Sequence, residues 1–204
     1  MSDPFRIGDI AGLEALYGPP APAAMQKVAR QLTPAYRAWI TQARFCVLAT
    51  VGPEGADCSP RGDDGPVVQE LDPHRLALPD WHGNNRVDSL RNIVRDGRTA
   101  LMFMVPGSDN VVRVNGRASV TVAPDLLQRF ARAGTLPRAV VVLEIAEIYF
   151  QCARALLRSR LWAGELASGT LPTAGDFLQE QSDGGFDGAA YDAEWPERAR
   201  GSMW

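Results

Sequence analysis

The stretch Pro79–Asn92, which reads PDWHGNNRVDSLRN, gathers many hydrogen-bonding side chains in front of a short helix pattern. Within it, Asn84 and Asn85 precede Arg86 and follow Gly83. An asparagine N-cap leaves the first helical N–H groups facing outward, and the helix dipole adds roughly half a positive charge there. Arg86 adds a planar set of donors, and Gly83 lets the backbone approach a ligand. The local sequence predicts an anion site suited to a phosphate; an ordinary capped helix with a surface arginine also explains it.

A second arginine follows a proline in a strand-like segment, CSPRGDDG. Proline cannot donate to a sheet ladder, so Pro60 either places this strand at a sheet edge or interrupts it. Arg61 could then project toward a second anionic or polar group of a ligand. The same segment also fits a surface turn in which Asp63 and Asp64 are solvated.

A third segment, NVVRVNGRASV, alternates polar and apolar residues along a predicted strand. Because successive side chains of a strand point to opposite faces, Arg113, Asn115 and Arg117 share one face. Antiparallel sheets commonly expose one face to water, so solvent is one interpretation of this face. The cofactor pocket of a partner chain is the other.

Motifs for nucleophilic or metal chemistry do not occur in the sequence. His74 and His82 are the two histidines, and the chain contains no GxSxG, HExxH, Walker A or GxGxxG pattern. Cys46, Cys58 and Cys152 are far apart and odd in number, so they predict neither a disulfide framework nor a zinc site. We expect buried thiols in a reducing compartment, and no metal site.

Composition and charge exclude several classes of protein. The 204 residues are 46% hydrophobic and 22% charged, which is ordinary for a globular protein. A net charge of −3 gives no electrostatic basis for binding nucleic acid. No run of roughly 18 apolar residues occurs, and residues 1–10 lack the features of a signal peptide. We therefore expect a cytoplasmic protein without a membrane segment.

The elements that would position these segments change character along the chain. Residues 1–44 read as helical, and TPAYRAWITQA has Thr33 as its N-cap and Pro34 at the first helical position. Short β-branched runs separated by Gly, Pro and Asp follow, beginning with Phe45–Val51. The helix pattern RVDSLRNIVRDG interrupts them and ends at Gly97. Its predicted apolar face contains Val87, Leu90, Ile93 and Val94.

The longest strand candidates are TALMFMVPG, NVVRVNGRASVTV and RAVVVLEIAEIYF. A closed or split antiparallel barrel is the natural way to bury such apolar strands. Strands and helices do not alternate regularly, which disfavours a doubly wound parallel sheet. We expect an α+β fold with a helical segment (residues 1–44), a barrel domain (45–162) and an acidic, loosely structured tail (163–204).

In their order along the chain, SPRGD, LPDWHGNNRVDSLRNI and VVRVNGRASV resemble the pyridoxamine 5′-phosphate oxidase-like family, and in particular a bacterial subgroup with a PD…GNNRxDSLRNI signature. The resemblance extends from Thr33 to Trp162. It implies the FMN-binding split β-barrel, an antiparallel, Greek-key-like fold with N-terminal and peripheral helices. It also implies a homodimer that binds FMN at the subunit interface.

The resemblance further implies cofactor contacts by position. The phosphate would meet Asn84, Asn85 and Arg86, with Ser89 or Asn92 one turn deeper, because a dianionic phosphate needs several donors at once. The remaining implied contacts are Arg61 from the SPRG strand, the backbone of Pro79, Asp80 and Trp81 along the flavin edge, and, from the partner subunit, Arg113 and Asn115.

The sequence departs from the family pattern in two places. Gln151 and Arg154 stand where related chains of the subgroup tend to have His and Lys. From residue 173 onward the chain has seven acidic residues against two arginines, a charge that would repel a phosphorylated substrate. We therefore do not expect pyridoxamine phosphate itself to be the substrate.

Taken with the resemblance, the sequence predicts an FMN-dependent oxidoreductase that transfers two electrons as hydride between a small substrate and flavin N5. Hydride transfer needs no general base, and His82 is the candidate proton donor because histidine is the residue type suited to proton transfer at neutral pH. A flavin-binding module without turnover, acting as a carrier or sensor, is a second hypothesis, and a deazaflavin-dependent reductase is a third. Dimerisation is expected because strands such as VVVLEIAEIYF are too apolar for a solvated face.

Overall fold

The computed structural model describes residue 3, residues 5–164 and residues 171–204. The strands within these ranges are β1 (Phe45–Gly52), β2 (Gly55–Gly62), β3 (Gln69–Asp72), β4 (Arg75–Asp80), β5 (Arg98–Met104), β6 (Val111–Thr121) and β7 (Ala139–Gln151). The helices are α1 (Ile10–Tyr17), α2 (Pro22–Gln26), α3 (Pro34–Ile40), α4 (Asp88–Arg95), α5 (Pro124–Arg129), α6 (Arg154–Ser159), α7 (Ala174–Gln181) and α8 (Gly188–Gly201).

The strands form one antiparallel sheet in the order β2-β1-β5-β6-β7-β4-β3. A single cluster of buried side chains joins strands from both halves of that order, so the sheet curls around its core into a split barrel. The expected α+β split barrel is confirmed. Its innermost side chains include Cys46, Leu48, Leu76, Phe103, Val112, Val114, Leu143 and Ile148.

A bulge bends the two longest strands where they cross the barrel. β6 pairs with β7 through a register shift between Asn115 and Gly116, and Ala146 of β7 is left without a partner. A β-carbon at Gly116 would collide with the carbonyl oxygen of Glu144, so only glycine allows this close approach. The bulged pair joins the two halves of the barrel, because β6 also pairs with β5 and β7 also pairs with β4.

The two edges of the sheet, β2 and β3, leave the barrel split. Pro60 lies in β2 opposite Val47, so its predicted edge position is confirmed and the strand continues through it. Across the split, side chains connect β2 to β4: Arg61 Nη1 donates to Asp80 Oδ1 over 2.6 Å. The predicted site residues on these two strands are therefore brought together here.

The N-terminal helices form as expected, but they differ in how they pack. Thr33 Oγ1 accepts a hydrogen bond from the Tyr36 N–H, with Pro34 in the first turn, so the predicted start of α3 is confirmed. Ile40 of this helix is buried in the barrel core. By contrast, α1 buries none of its side chains.

The acidic C-terminal segment contains two helices, so the expectation of a loosely structured tail is wrong for residues 171–204. Thr173 and Asp176 form a reciprocal capping box that starts α7. Gly175 and Gly188 let α7 and α8 touch, because a β-carbon at either glycine would collide with the backbone of the other helix. Glycines that suggested a loop are used for helix packing. Residues 165–170 of the predicted tail lie outside the described residues.

The three cysteines are free thiols with different surroundings. Burial raises the pKa of Cys46 to about 12, and the nearby charge of Arg61 opposes that rise. Cys58 and Cys152 are exposed, so the expectation of buried thiols is wrong for both. The Cys58 side chain points away from the barrel interior, and its strand, β2, is an edge strand of the sheet.

Candidate functional site

An open cleft of about 1120 Å³ lies where β2 and β4 face each other across the split. Strand ends form one part of its wall, the loop before α4 forms another, and the end of the C-terminal segment forms a third. Most of the predicted site residues line it: Arg61, Pro79, Asp80, Trp81, His82, Asn84, Asn85, Arg86 and Ser89.

Arg61 occupies the inner side of β2 at the floor of this cleft. It lies opposite Cys46 in the β1–β2 ladder, which puts it on the face that holds the core. Its side chain is 21% exposed and that of Asp80 is 13% exposed, so the pair is largely shielded from water. Arg61 Nε is buried and has no hydrogen-bond partner among the described residues. A buried unpaired donor of this kind is costly unless a ligand accepts from it.

The loop before α4 differs from the prediction of an asparagine N-cap. The helix begins at Asp88, and the residue in the capping position is Val87, whose side chain makes no capping bond. Asn84 Oδ1 instead accepts from the Arg86 N–H over 3.0 Å. This local bond occupies the Asn84 side chain three residues before the capping position, so Asn84 does not cap the helix. The predicted N-cap is therefore wrong.

The same loop carries two residues in the left-handed region. Asn85 has φ of 62° and Val87 has φ of 51°. Asparagine tolerates this conformation, but a β-branched valine rarely adopts it. Arg138 Nη1 donates to Asn85 Oδ1 over 2.5 Å and ties the loop to the start of β7. A strained loop held in place beside a cleft is a common feature of ligand sites.

The inward face of α4 is more polar than its sequence suggests. Ser89 and Asn92 are 3% and 7% exposed, and they lie beside the buried Ile93. Val87 and Val94 are exposed, so the predicted apolar face is wrong at these two positions. Ser89 and Asn92 face polar side chains of β2 and β1, whereas Leu90 and Ile93 pack in the core.

Both buried polar side chains on α4 already have partners. Ser89 Oγ donates to a carboxylate oxygen of Asp57 on β2. Asn92 Nδ2 donates to Thr50 Oγ1 on β1 over 3.2 Å, and a β-carbon at Gly52 would collide with the Asn92 amide. Ser89 reaches the main cleft, whereas Asn92 lines a second, smaller cavity of about 490 Å³.

The second cavity is lined by Arg91, which was not among the site residues predicted from the sequence. Arg86, Arg91 and Arg95 all line it, beside Asn92. Arg86 pairs with Asp88 over 2.5 Å and Arg95 pairs with Glu54. Arg91 lies one helical turn before Arg95, and that spacing was the available signal. Three cations thus lie along α4, from the loop before its start to its last residue.

Arg113 and Asn115 do not reach the cleft of their own chain. They lie on the outer face of β6 and alternate with the buried Val112 and Val114. Arg113 lies 5.4 Å from the centre of the Tyr149 ring, and Asn115 Nδ2 donates to Glu147 Oε1 over 2.7 Å. The predicted alternation of polar and apolar faces is confirmed for this strand.

The third part of the wall comes from the end of the C-terminal segment, and no sequence pattern predicted that it lies there. The Trp81 and Trp204 rings meet edge to face, with centroids 5.3 Å apart. The Arg132 guanidinium lies 4.1 Å from the Trp204 ring centre and also pairs with the carboxylates of Asp63 and Asp64. We call Trp81, Arg132 and Trp204 the aromatic latch.

Asp63 anchors the latch from the barrel side. Its side chain is 5% exposed, and it accepts a hydrogen bond from Trp81 Nε1 over 3.1 Å as well as the ion pair with Arg132. The interpretation of Asp63 as a solvated turn residue is therefore wrong, whereas Asp64 is exposed. His82 is exposed at the rim. Across the described ranges, no group of three or more His, Cys, Asp or Glu could hold a metal ion.

Comparison with known proteins decides the family. The family model described as pyridoxamine 5′-phosphate oxidase matches residues 32–152, which is more than half of the chain. This chain belongs to the pyridoxamine 5′-phosphate oxidase family. The matched region contains the seven strands, the loop before α4 and helices α3 to α5, whereas the segment that supplies Trp204 lies beyond it.

Several solved structures are similar to this family member at low identity. HupZ of Group A Streptococcus is 16% identical, with 57% of this chain and 91% of that chain covered and a TM-score of 0.47. General Stress Protein 26 of Bacillus anthracis is 15% identical, with 55% and 88% covered and a TM-score of 0.43. An FMN-binding protein of Syntrophomonas wolfei is 14% identical, with 57% and 88% covered and a TM-score of 0.42.

Similarities this weak carry no argument about the function of this family member. No curated protein matches the sequence. In the described part of the chain, no helix is long and apolar enough to cross a membrane.

Proposed function

We propose that this chain is a flavoprotein that binds FMN in the cleft and acts as an oxidoreductase in the cytoplasm. The observation that carries the proposal is the buried Arg61 Nε, a donor with no partner among the described residues, which lines a cleft in a member of this family. The volume of about 1120 Å³ slightly exceeds the roughly 300–1,000 Å³ of ordinary ligand pockets, so a cofactor and a small substrate fit together.

The residues present are suited to the phosphate of FMN. Asn84, Asn85 and Arg86 are exposed along the loop at the start of α4, where donors and the helix dipole both favour an anion. Arg86 would exchange its exposed partner Asp88 for the phosphate, which costs little because exposed ion pairs are weak. Arg91 is positioned to add a second cation from the adjacent cavity.

Other predicted contacts receive different support. Ser89 would need to share its hydroxyl with Asp57, and Asn92 faces the second cavity through its bond to Thr50. The backbone and side chains of Pro79, Asp80 and Trp81 line the main cleft, where the flavin edge would lie.

A homodimer is part of this proposal. Arg113 and Asn115 lie on the outer face of β6, so they could contact FMN only in a second copy of the chain. The neighbouring outer face is apolar and half-buried, and it includes Val47, Ala49, Met102 and Met104. An isologous contact would cover it. Light scattering should give twice the chain mass of 22.1 kDa, and a monomer that still binds FMN would contradict the dimer.

When bound, FMN supplies two-electron chemistry, and the protein supplies orientation, electrostatics and access. Arg61 and the loop before α4 would hold the phosphate, and the aromatic latch would exclude water from one side of the cleft. His82, exposed at the rim, is the candidate to deliver a proton to the substrate. Replacement by asparagine should slow turnover without changing FMN binding.

A flavin carrier or sensor without turnover is the second candidate. One observation favours it: the cleft carboxylates Asp57, Asp63, Asp64 and Asp80 are each engaged by a hydrogen bond or an ion pair, which leaves only Asp88 to be released when a phosphate takes its place on Arg86. Oxidation of NADH or NADPH by the FMN-loaded protein separates the candidates. Bound flavin that never cycles with any donor would favour the carrier.

The deciding experiment for cofactor binding is a visible absorption spectrum of the purified protein, followed by denaturation and chromatography of released cofactor. FMN at about one per chain supports the proposal, and a deazaflavin would be recognised by its different spectrum. A colourless protein that takes up no added FMN would overturn it and leave the loop before α4 as an ordinary helix start.

A further inference from the structure

The cleft has an aromatic side that the phosphate does not need. Trp81, Trp195, Met203 and Trp204 all line it, three of them from the C-terminal segment. Aromatic and thioether side chains offer large, polarisable, apolar contact surfaces and few hydrogen bonds. Such a wall favours a flat molecule with delocalised electrons over a saturated or strongly hydrated one.

The aromatic side is held in a defined geometry. The Trp81 and Trp204 planes meet at 82°, so together they form a corner. Arg132 covers one face of Trp204 and is itself fixed by Asp63 and Asp64. The latch therefore orders the end of the C-terminal segment by contacts with the barrel.

The charge of the cleft restricts the molecule further. Five aspartates line it, namely Asp57, Asp63, Asp64, Asp80 and Asp88, against three arginines, Arg61, Arg86 and Arg138. A phosphate dianion would add two negative charges, and Arg132 of the latch, which pairs with Asp63 and Asp64, adds one positive charge. A second anion in the same cleft would then be repelled.

We propose that the aromatic side of the cleft binds a planar, conjugated molecule that is uncharged or cationic and carries no phosphate or carboxylate. This inference rests on the proposed function, because the FMN phosphate contributes to the charge argument. Trp204 determines the preference for a flat ring system, and Trp81, which also lies along the proposed flavin edge, forms the other side of the corner. Arg132 is a positioning residue that acts through Trp204.

The test uses naphthalene probes of matched size on the FMN-loaded, full-length chain. These are 2-naphthalenemethanol, 2-naphthylmethylammonium and 2-naphthoate, with decahydro-2-naphthalenemethanol as the saturated analogue. Binding is measured by calorimetry and by the shift of the flavin absorption bands. The neutral and cationic naphthalenes should bind about tenfold more tightly than 2-naphthoate or the saturated analogue.

Variants assign the preference to the latch. Trp204→Ala should reduce binding of the flat probes about tenfold, whereas Trp204→Phe should retain most of the binding. Arg132→Gln should give an intermediate loss. Trp162→Ala is the matched control, because Trp162 donates to Ser108 and does not line the cleft.

The outcomes separate the two proposals. If FMN binds but 2-naphthoate or the saturated analogue binds as well as the flat neutral probe, this inference is overturned and FMN binding stands. The same holds if Trp204→Ala keeps the full preference while remaining folded by circular dichroism. If the chain takes up no FMN, both proposals fail.

Discussion

The two sides of the cleft are built in different ways. Arg61 and Asp80 belong to strands whose inner faces continue into the barrel core, so moving them means disturbing the sheet. Trp195 lies in α8 and Trp204 follows the end of that helix, which packs on α7 through Gly175 and Gly188. This helical pair meets the barrel at the aromatic latch.

The barrel core thus fixes one side of the cleft, whereas a separate C-terminal segment supplies the other side. We infer that the two sides have different functions. Binding of a common cofactor suits residues whose geometry the core fixes. Selection of a variable substrate suits a segment that can change without destabilising the barrel. The family match agrees with this division, since it covers the barrel and stops before the helical pair. The following changes test it, beginning with the largest expected effect.

An added methyl group should be far more damaging in the barrel than in the helical pair. Gly116→Ala forces a β-carbon against the Glu144 carbonyl at the bulge, and neither strand can move. We expect a loss of about 3 kcal/mol in the free energy of unfolding, measured by urea denaturation. Gly83→Ala is the control, because its β-carbon would meet no atom within 4 Å. A Gly116→Ala protein as stable as this control would contradict the close packing at the bulge.

Removal of the arginine at the cleft floor should affect cofactor binding first. Arg61→Leu takes away the unpaired Nε and leaves Asp80 without its partner. We expect the dissociation constant for FMN to rise about thirtyfold, a loss of roughly 2 kcal/mol, as measured by quenching of FMN fluorescence. Arg61→Lys keeps the charge without the planar donors and should recover part of the affinity. Unchanged FMN affinity in both variants would exclude Arg61 from the site.

The matching change in the helical pair should leave the barrel intact. Gly188→Ala places a β-carbon against the backbone of Gly175 and pushes α7 and α8 apart. We expect about 1 kcal/mol of local destabilisation, seen as faster amide hydrogen exchange in residues 171–204, with FMN affinity unchanged. Gly201→Ala in the same helix has open space and serves as control. Loss of FMN binding in Gly188→Ala alone would show that the two sides are not independent.

The smallest expected effect is a loss of stability at low pH, when one exposed ion pair of the barrel is broken. The hydrogen bonds from Arg98 lower the pKa of Asp96 from 3.8 to about 2. Its stabilising contribution is therefore complete above pH 3.8 and disappears as the pH falls through 2. Arg98→Met should lower the free energy of unfolding more at pH 5 than near pH 2. Equal differences at both pH values would assign the effect to packing.

The barrel was predictable because its signals are local and repeated. Apolar strands, the proline in β2 and the Thr33-Pro34 helix start each depend on neighbours in the sequence. The start of α4 was not predictable in detail, since Asn84 could either cap the helix or bond the Arg86 N–H. The sequence alone favoured the first, and the structure has the second.

The aromatic side of the cleft was hidden because it depends on contacts between distant segments. Trp81 and Trp204 are separated by more than a hundred residues, and nothing near either one indicates the other. The glycines at 175 and 188 suggested a flexible tail, although they allow two helices to touch. The sequence shows where a glycine occurs, but not whether it forms a turn or allows a neighbouring helix to approach closely.

A split barrel has two edge strands, here called its rims, and the unpaired backbone of each could form hydrogen bonds with a strand of another molecule. In this chain Pro60 lies within one rim, where it has no N–H to offer an incoming strand. The other rim is the four-residue β3, which carries Glu70 and Asp72. A short acidic rim and a proline-interrupted rim both resist edge-to-edge polymerisation. The chain can therefore keep its split open for a ligand without becoming prone to sheet-mediated aggregation.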